Sequence, residues 1–208
     1  MAKKVPKSTA ALSLLVVLLS AALWFFYTAY TDLEARYGEL RHRYEELLAQ
    51  NATVIIINDR DYFDVARELV EEASKSIYVI MYVLKYKPGD PDYPVNQLVW
   101  ALGNACQRGV KVSVILEGDV YEGGVMVNQA AYDYFVSVGV NVTFDSGHVR
   151  THCKLVVVDE LMVLVGSHNW TEYALERNHE ASVLIISGEV AEKEIEYFNE
   201  LWAEATGS

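Results

Sequence analysis

Two apolar runs rich in β-branched residues, 151–158 (THCKLVVV) and 161–165, flank the polar pair Asp159-Glu160. Their character predicts two buried strands joined by a tight turn. The first run carries His152 and Lys154 and leads to Asp159, in the order His-x-Lys-x-x-x-x-Asp. The second runs straight into Gly166-Ser167-His168-Asn169. With residue usage averaging about one in twenty, six such fixed identities recur by chance on the order of once in 10^7 to 10^8 windows. Side chains alternate along a strand, so His152 and Lys154 share one face while Cys153 and Leu155 share the other. The turn after the second strand lets Ser167 and Asn169 converge on the same cleft.

These residue types in this pattern suit chemistry at phosphorus. An imidazole whose pKa lies near neutrality can attack phosphorus or protonate a leaving oxygen. An ammonium and a carboxamide can donate to the non-bridging oxygens where charge builds. The segment resembles the catalytic motif of the phospholipase D superfamily, and the resemblance spans roughly residues 51–205. It implies that His152 is nucleophile or general acid and that Lys154 and Asn169 bind phosphate. Ser167 and Gly166 would shape the phosphate-binding turn, and Asp159 would fix the strand turn. Glu180, in Asn178-His179-Glu180, stands where the family's carboxylate orients the imidazole, holding its tautomer and stabilising the imidazolium.

The chemistry implied by the resemblance needs two histidines, one to form a phosphohistidine and one to protonate the leaving group. Five histidines are present, and only His152 has lysine two positions later. Either two copies pair their His152 residues across a two-fold axis, or the protein is inactive. Closed symmetric dimers are the commonest assembly, and the family's short, single-motif members are dimers of this kind. The resemblance requires neither metal nor cofactor, because Lys154, Asn169 and the imidazoles supply the electrostatics.

The amino end suggests a location. Residues 8–31 carry no charge and include LSLLVVLLSAALWFFYTAY, long enough to cross a hydrocarbon core of about 30 Å. Lys3, Lys4 and Lys7 precede it, so the amino terminus is expected in the cytoplasm and the remainder outside. Trp24, Phe25, Phe26, Tyr27 and Tyr30 would form an interfacial belt. The rival reading is a cleaved signal peptide ending near Ser20-Ala21-Ala22; the apolar run continuing through Phe26 favours retention. The expected organisation is therefore a single-pass cell-membrane anchor over 1–31, inserted through 9–30, with a helical stalk over 32–50 and a catalytic domain over 51–208. In the stalk Leu33, Tyr37, Leu40, Tyr44 and Leu47 step by four and three, which is either a short coiled-coil seam or one amphipathic helix.

Beyond the stalk, strand and helix patterns alternate. Strands are expected over 53–57, 77–84, 110–116, 140–144, 151–158, 161–165 and 181–186. Helices are expected over 61–74, 94–108, 125–138 and 189–205. Such alternation predicts an α/β fold with a mixed, mostly parallel sheet and helices on both faces.

Charge bears on substrate. Of 17 basic and 29 acidic side chains, only Lys3, Lys4 and Lys7 precede residue 32, leaving 14 against 29, a net of −15. That balance weighs against a general nucleic-acid binder without excluding a local basic groove. Lys85, Lys87 and Arg150 are the candidates for such a groove, against ordinary solvated surface. Tyr82, Tyr86, Tyr93 and Trp170 could stack bases or meet lipid, although packing is the commoner role for such residues. Cys106 and Cys153 form no zinc pattern. Among the sequons at Asn51, Asn141 and Asn169, only Asn51 is a plausible glycan acceptor. The loop bearing Glu117, Asp119 and Glu122 could coordinate a cation, but a solvated rim is the better reading. The substrate stays open among nucleic acid, phospholipid headgroups and, for a degenerate module, binding alone.

Overall fold

The computed structural model describes the backbone of residues 7–49 and 52–207 and the side chains of 16, 18–41 and 52–207. The chain divides into two units, Met1–Asn51 and Ala52–Ser208. The first unit holds one helix, α1 (Lys7–Ala49), of 43 residues. It runs without interruption through the expected boundary between anchor and stalk. Leu18, Leu23, Trp24, Phe25, Phe26 and Tyr27 are exposed, as are Leu33, Tyr37 and Leu40 of the heptad seam. Among the described residues no helix is long and apolar enough to cross a membrane. The side chains of 8–15 and 17, which begin the apolar stretch, lie outside those residues. So do Lys3, Lys4 and Asn51, and the side chains of Lys7, Tyr44 and Leu47.

The second unit is built on a seven-stranded sheet. In chain order its elements are β1 (Thr53–Asn58), α2 (Asp61–Glu72), β2 (Ser76–Met81), α3 (Pro94–Gln107) and β3 (Lys111–Leu116). A small hairpin follows, β4 (Tyr121–Glu122) and β5 (Val125–Met126). Then come α4 (Gln129–Ser137), β6 (Asn141–Phe144), β7 (Lys154–Val158), β8 (Met162–Gly166), α5 (Glu172–Glu176), β9 (Ala181–Ile186) and α6 (Gly188–Thr206). The strand order is β1-β9-β8-β7-β2-β3-β6.

The sheet is mixed, as expected, but it is not mostly parallel. Only β2 with β3 and β3 with β6 run parallel; β1–β9, β9–β8, β8–β7 and β7–β2 are antiparallel. The reason is connection length. Helices α3 and α4 cross over between parallel strands, whereas β7 and β8 are joined by a tight turn that reverses the chain. The expected helix over 125–138 begins only at Gln129, because Gly123 and Gly124 at φ 59° and 81° close the β4–β5 hairpin instead.

Helices cover both faces. On one face Ile77, Val79, Met81, Val114, Val156 and Val158 pack against α2, α3 and α4. On the other, Tyr78, Ile80, Ile115, Leu155 and Val157 pack against Ala191 and Phe198 of α6. Every residue of β2 is buried, so this central strand fixes the framework on which the motif strands lie. Each fully buried aliphatic side chain there contributes roughly 1.5–3 kcal/mol.

Candidate active site

The turn between the motif strands is secured by Asp159. It sits at φ 54°, with Glu160 at φ 58°, a left-handed pair that a tight hairpin turn requires and that Asp tolerates better than most residues. Its carboxylate accepts the backbone N–H groups of Ser74, Lys75 and Ser76 at 2.9, 2.7 and 3.0 Å and the Ser74 hydroxyl at 2.8 Å. Burial pushes its pKa upward, but these donors outweigh it and hold the carboxyl below 3.8. Asp159 thus ties β7 to the start of β2, at the end of the strand remote from His152.

At the other end of β7, Lys154 is 6% exposed and pairs with Met81 of β2. Its ammonium donates to the His152 carbonyl at 2.7 Å and lies 3.1 Å from His152 Nδ1. Burial lowers its pKa from 10.5. The Tyr82 ring bridges the two residues, 4.3 Å from the His152 ring and 4.9 Å below the Lys154 ammonium. His152 itself is exposed, and Cys153 faces α6, as alternation requires.

The second strand delivers its turn beside this pair. Leu155 is opposite Val165 and Gly166 is opposite Ser182, so Lys154 and Gly166 lie at neighbouring strand ends. Ser167 closes the turn onto β9. Its N–H donates to the Ala181 carbonyl at 3.0 Å, its Oγ accepts the Ala181 N–H at 3.0 Å, and its hydroxyl donates to Glu180. Glu180 also takes the Asn178 amide at 2.9 Å, and within one chain no hydrogen bond joins it to His152 among the described residues. Asn169 carries a buried Oδ1 with no partner. A carboxamide's two ends are assigned rather than observed, so this orphaned polar end is a place for a ligand's hydrogen bond.

Two motif neighbours are structural. His168 is fully buried and stacks on Tyr62 at 4.2 Å. Its Nε2 lies 2.9 Å from the Asp59 carbonyl, which can only accept, so Nε2 bears the proton and Nδ1 accepts the Ser182 hydroxyl at 2.7 Å. Burial lowers its pKa from 6.5. Trp170, a candidate substrate contact in the sequence, is fully buried instead and donates from Nε1 to Tyr62 at 3.2 Å. An indole with no accessible surface cannot meet substrate.

Residues 66–202 match the family described as cardiolipin synthase, PLD-like domain. The chain belongs to that PLD-like family. Mitochondrial cardiolipin hydrolase of Mus musculus is 30% identical over 98 residues, covering 47% of this chain and 42% of the relative. Cardiolipin synthase B of Escherichia coli K12 is 33% identical over 94 residues, covering 45% of this chain and 22% of the relative. The chain therefore spans less than half the length of these curated relatives. Among solved structures, the phospholipase D family member Nuc from Salmonella typhimurium superposes with a TM-score of 0.64 at 23% identity, covering 74% of this chain and 97% of Nuc. NucT from Helicobacter pylori gives 0.60 at 17% identity, covering 74% and 98%. These two likenesses show the fold.

Around the PLD-like motif, the basic candidates are all paired. Lys85 meets Glu122 at 2.5 Å, Lys87 meets Glu172 at 3.4 Å, and Arg150 reaches Tyr82 Oη at 3.3 Å and Asp119 at 3.4 Å. Lys85 and Lys87 do line a cavity of about 500 Å³, together with Val83, Tyr93, Glu122 and Tyr173. This groove adjoins the motif, because the Lys85 N–H donates to the Trp170 carbonyl at 2.9 Å. Among the described residues no cluster of His, Cys, Asp or Glu could hold a metal ion.

Three positioning groups were not recognised as such in the sequence, and one of them, Glu117, was read there as solvated rim but is buried. Glu117 is 1% exposed and accepts the Thr151 N–H at 2.6 Å and the Asp119 N–H at 2.9 Å, fixing the chain just before His152. Asn128, fully buried, accepts the Leu84 N–H at 2.8 Å and donates to the Tyr82 and Glu117 carbonyls at 2.9 and 2.8 Å. Asp59 accepts the Glu180 N–H at 2.8 Å. Asn128 and Asp59 carry no local signal. The place of Glu117, just past the carboxyl end of a parallel strand, was the signal for a role at the site rather than at a solvated rim.

Proposed function

We propose that the chain is a membrane-anchored, homodimeric phosphodiesterase acting through a phosphohistidine. The observation that carries this is the exposed His152 ring held by Tyr82 above the buried Lys154 ammonium. One neutral His152 attacks phosphorus. The bond to the leaving oxygen breaks, and the partner's His152 gives that oxygen its proton. The partner's imidazole, now neutral, takes a proton from water as the water attacks the phosphohistidine; hydrolysis releases the product and restores both rings. Lys154 and the Asn169 carboxamide donate to the non-bridging oxygens, where negative charge grows. Glu180 holds Ser167 and so the turn, and its carboxylate is the one the family resemblance assigns to steadying the imidazolium. The apolar stretch through 9–30 anchors the chain, with the catalytic domain outside the cytoplasm.

The lead substrate is a nucleic acid, because the motif and the domain around it resemble those of the superfamily's short endonucleases. A phospholipid headgroup is the second reading, favoured by relatives named for cardiolipin and by the net charge of −15 beyond residue 31. The test uses the full chain in detergent with excess EDTA. Bis(p-nitrophenyl) phosphate should be hydrolysed, and His152→Ala should abolish turnover. Single-stranded DNA, RNA and phospholipid vesicles are then compared side by side. Nucleic-acid cleavage should fall steeply with salt, whereas lipid cleavage should follow vesicle surface. No turnover of any diester by the intact dimer would leave a binding module.

A further inference from the structure

The three candidate groove cations outside the motif do not present free charge. Each is held by a carboxylate from a segment at the groove: Lys85 by Glu122 of β4, Arg150 by Asp119 in the loop before β4, and Lys87 by Glu172 of α5. Glu172 is itself held by Arg177 at 2.5 Å, so Lys87 shares its carboxylate with a second cation. Glu122 and Asp119 are both anchored through one short segment, whose root is the buried Glu117 accepting the Asp119 N–H. The Lys85–Glu122 pair is 39% and 66% exposed. Such a pair contributes little to stability, yet it decides what the ammonium can offer an incoming anion.

We propose that Glu122 and Asp119 form a carboxylate filter that sets the substrate class of this site. It admits a phosphodiester with few flanking phosphates, such as a short or terminal stretch of strand or an isolated headgroup, and disfavours a long polyanionic strand. This inference rests on the phosphodiesterase reading above. The physical reason is that strand affinity comes largely from cations that replace counterions on successive phosphates. A lysine already neutralised by a carboxylate at 2.5 Å makes that contact only by giving up its partner, and the displaced carboxylate then repels the next phosphate. A diester without neighbouring charges needs only Lys154 and Asn169 and is spared both costs.

The test compares kcat/KM for a long single-stranded oligonucleotide with that for bis(p-nitrophenyl) phosphate, in the full-length dimer. Glu122→Gln should raise the ratio roughly 3–10-fold at low salt, and should steepen the salt dependence by about 0.7 in log–log slope, one freed cation on a single strand. Adding Lys85→Ala to Glu122→Gln should erase the gain, while Lys85→Ala alone, which leaves the Glu122 carboxylate unpaired, should lower the ratio. Glu200→Gln, the same charge change on the exposed side of α6, should leave the ratio at its starting value. An unchanged ratio in Glu122→Gln, or an equal rise in Glu200→Gln, overturns the filter. Should the wild type turn over neither substrate, the enzymatic reading fails. The filter is then read directly from oligonucleotide affinity by fluorescence anisotropy, where the same variants must show the same pattern.

Discussion

Gly166→Ala probes whether the motif turn depends on close strand contact. A Cβ built on Gly166 would come under 3.0 Å from Ser182 Oγ, the Ala181 carbonyl oxygen and Ser182 Cα. A hydroxyl can rotate away; a backbone carbonyl and Cα in a paired strand cannot. β8 must therefore part from β9 at Gly166, where it is opposite Ser182. Overpacking of this kind costs typically 1–3 kcal/mol, and with two backbone obstacles the upper end, about 3 kcal/mol, is expected. For a domain of this size that lowers Tm by roughly 6–12 °C and still leaves it folded, since native stabilities are about 5–15 kcal/mol. Activity should fall further than stability. The same movement breaks the two Ser167–Ala181 hydrogen bonds, and a displacement of about 1 Å at a site costs on the order of 10²-fold. Thermal melts followed by circular dichroism and hydrolysis of bis(p-nitrophenyl) phosphate read the two effects. Gly188→Ala is the control: its nearest obstacle is Glu160 O at 3.8 Å, so it should be neutral or stabilise. A Gly166→Ala protein with wild-type Tm refutes the packing argument. One with lowered Tm and full activity refutes the role of the turn.

Asp159→Asn keeps the left-handed backbone but loses the carboxylate that serves three N–H groups and a hydroxyl; urea unfolding should show a loss of about 2–3 kcal/mol. Because the Asp159 pKa is lowered, the stability it gives is present above pH 3.8 and lost as pH falls through its folded value, so wild type and variant should converge in acid. The buried His168 has the same sign at a higher pH. Its pKa is lowered from 6.5, the unfolded chain binds the proton first, and stability complete above that pH is lost below it, at no more than about 1.4 kcal/mol per pH unit. Urea midpoints measured across that range should slope downward, and His168→Gln should flatten the slope. Lys154 must be charged to hold phosphate, and burial lowers its pKa from 10.5; the alkaline limb of kcat/KM should therefore fall below that pH, and a profile flat through it would contradict this role.

The motif hairpin was legible because its signals are local: alternation put Lys154 and Cys153 on opposite faces, and Asp159-Glu160 stood between two apolar runs. Strand direction was not legible. Runs such as LVVV in β7 read alike in a buried parallel or antiparallel strand, and only the pairing of β1 with β9 and of β7 with β2 decides. The β4–β5 hairpin was hidden because two-residue strands are too short to show a period. Trp170 could not be told from an exposed aromatic, since its burial depends on Tyr62, 108 positions away. Glu117 was seen but read as solvated rim: its partner is the Thr151 backbone 34 residues on, and a backbone N–H leaves no mark in a sequence.

The central claim is that one site needs His152 from two chains, and subunit mixing tests it directly. Wild-type and His152→Asn chains are co-refolded in varied ratios and assayed on bis(p-nitrophenyl) phosphate. If both imidazoles serve one phosphorus, only dimers of two wild-type chains turn over, and an equal mixture keeps about a quarter of the activity, with a quadratic dependence on the wild-type fraction. A linear dependence, with about half the activity retained at equal mixing, would mean that each chain acts alone and would contradict the account.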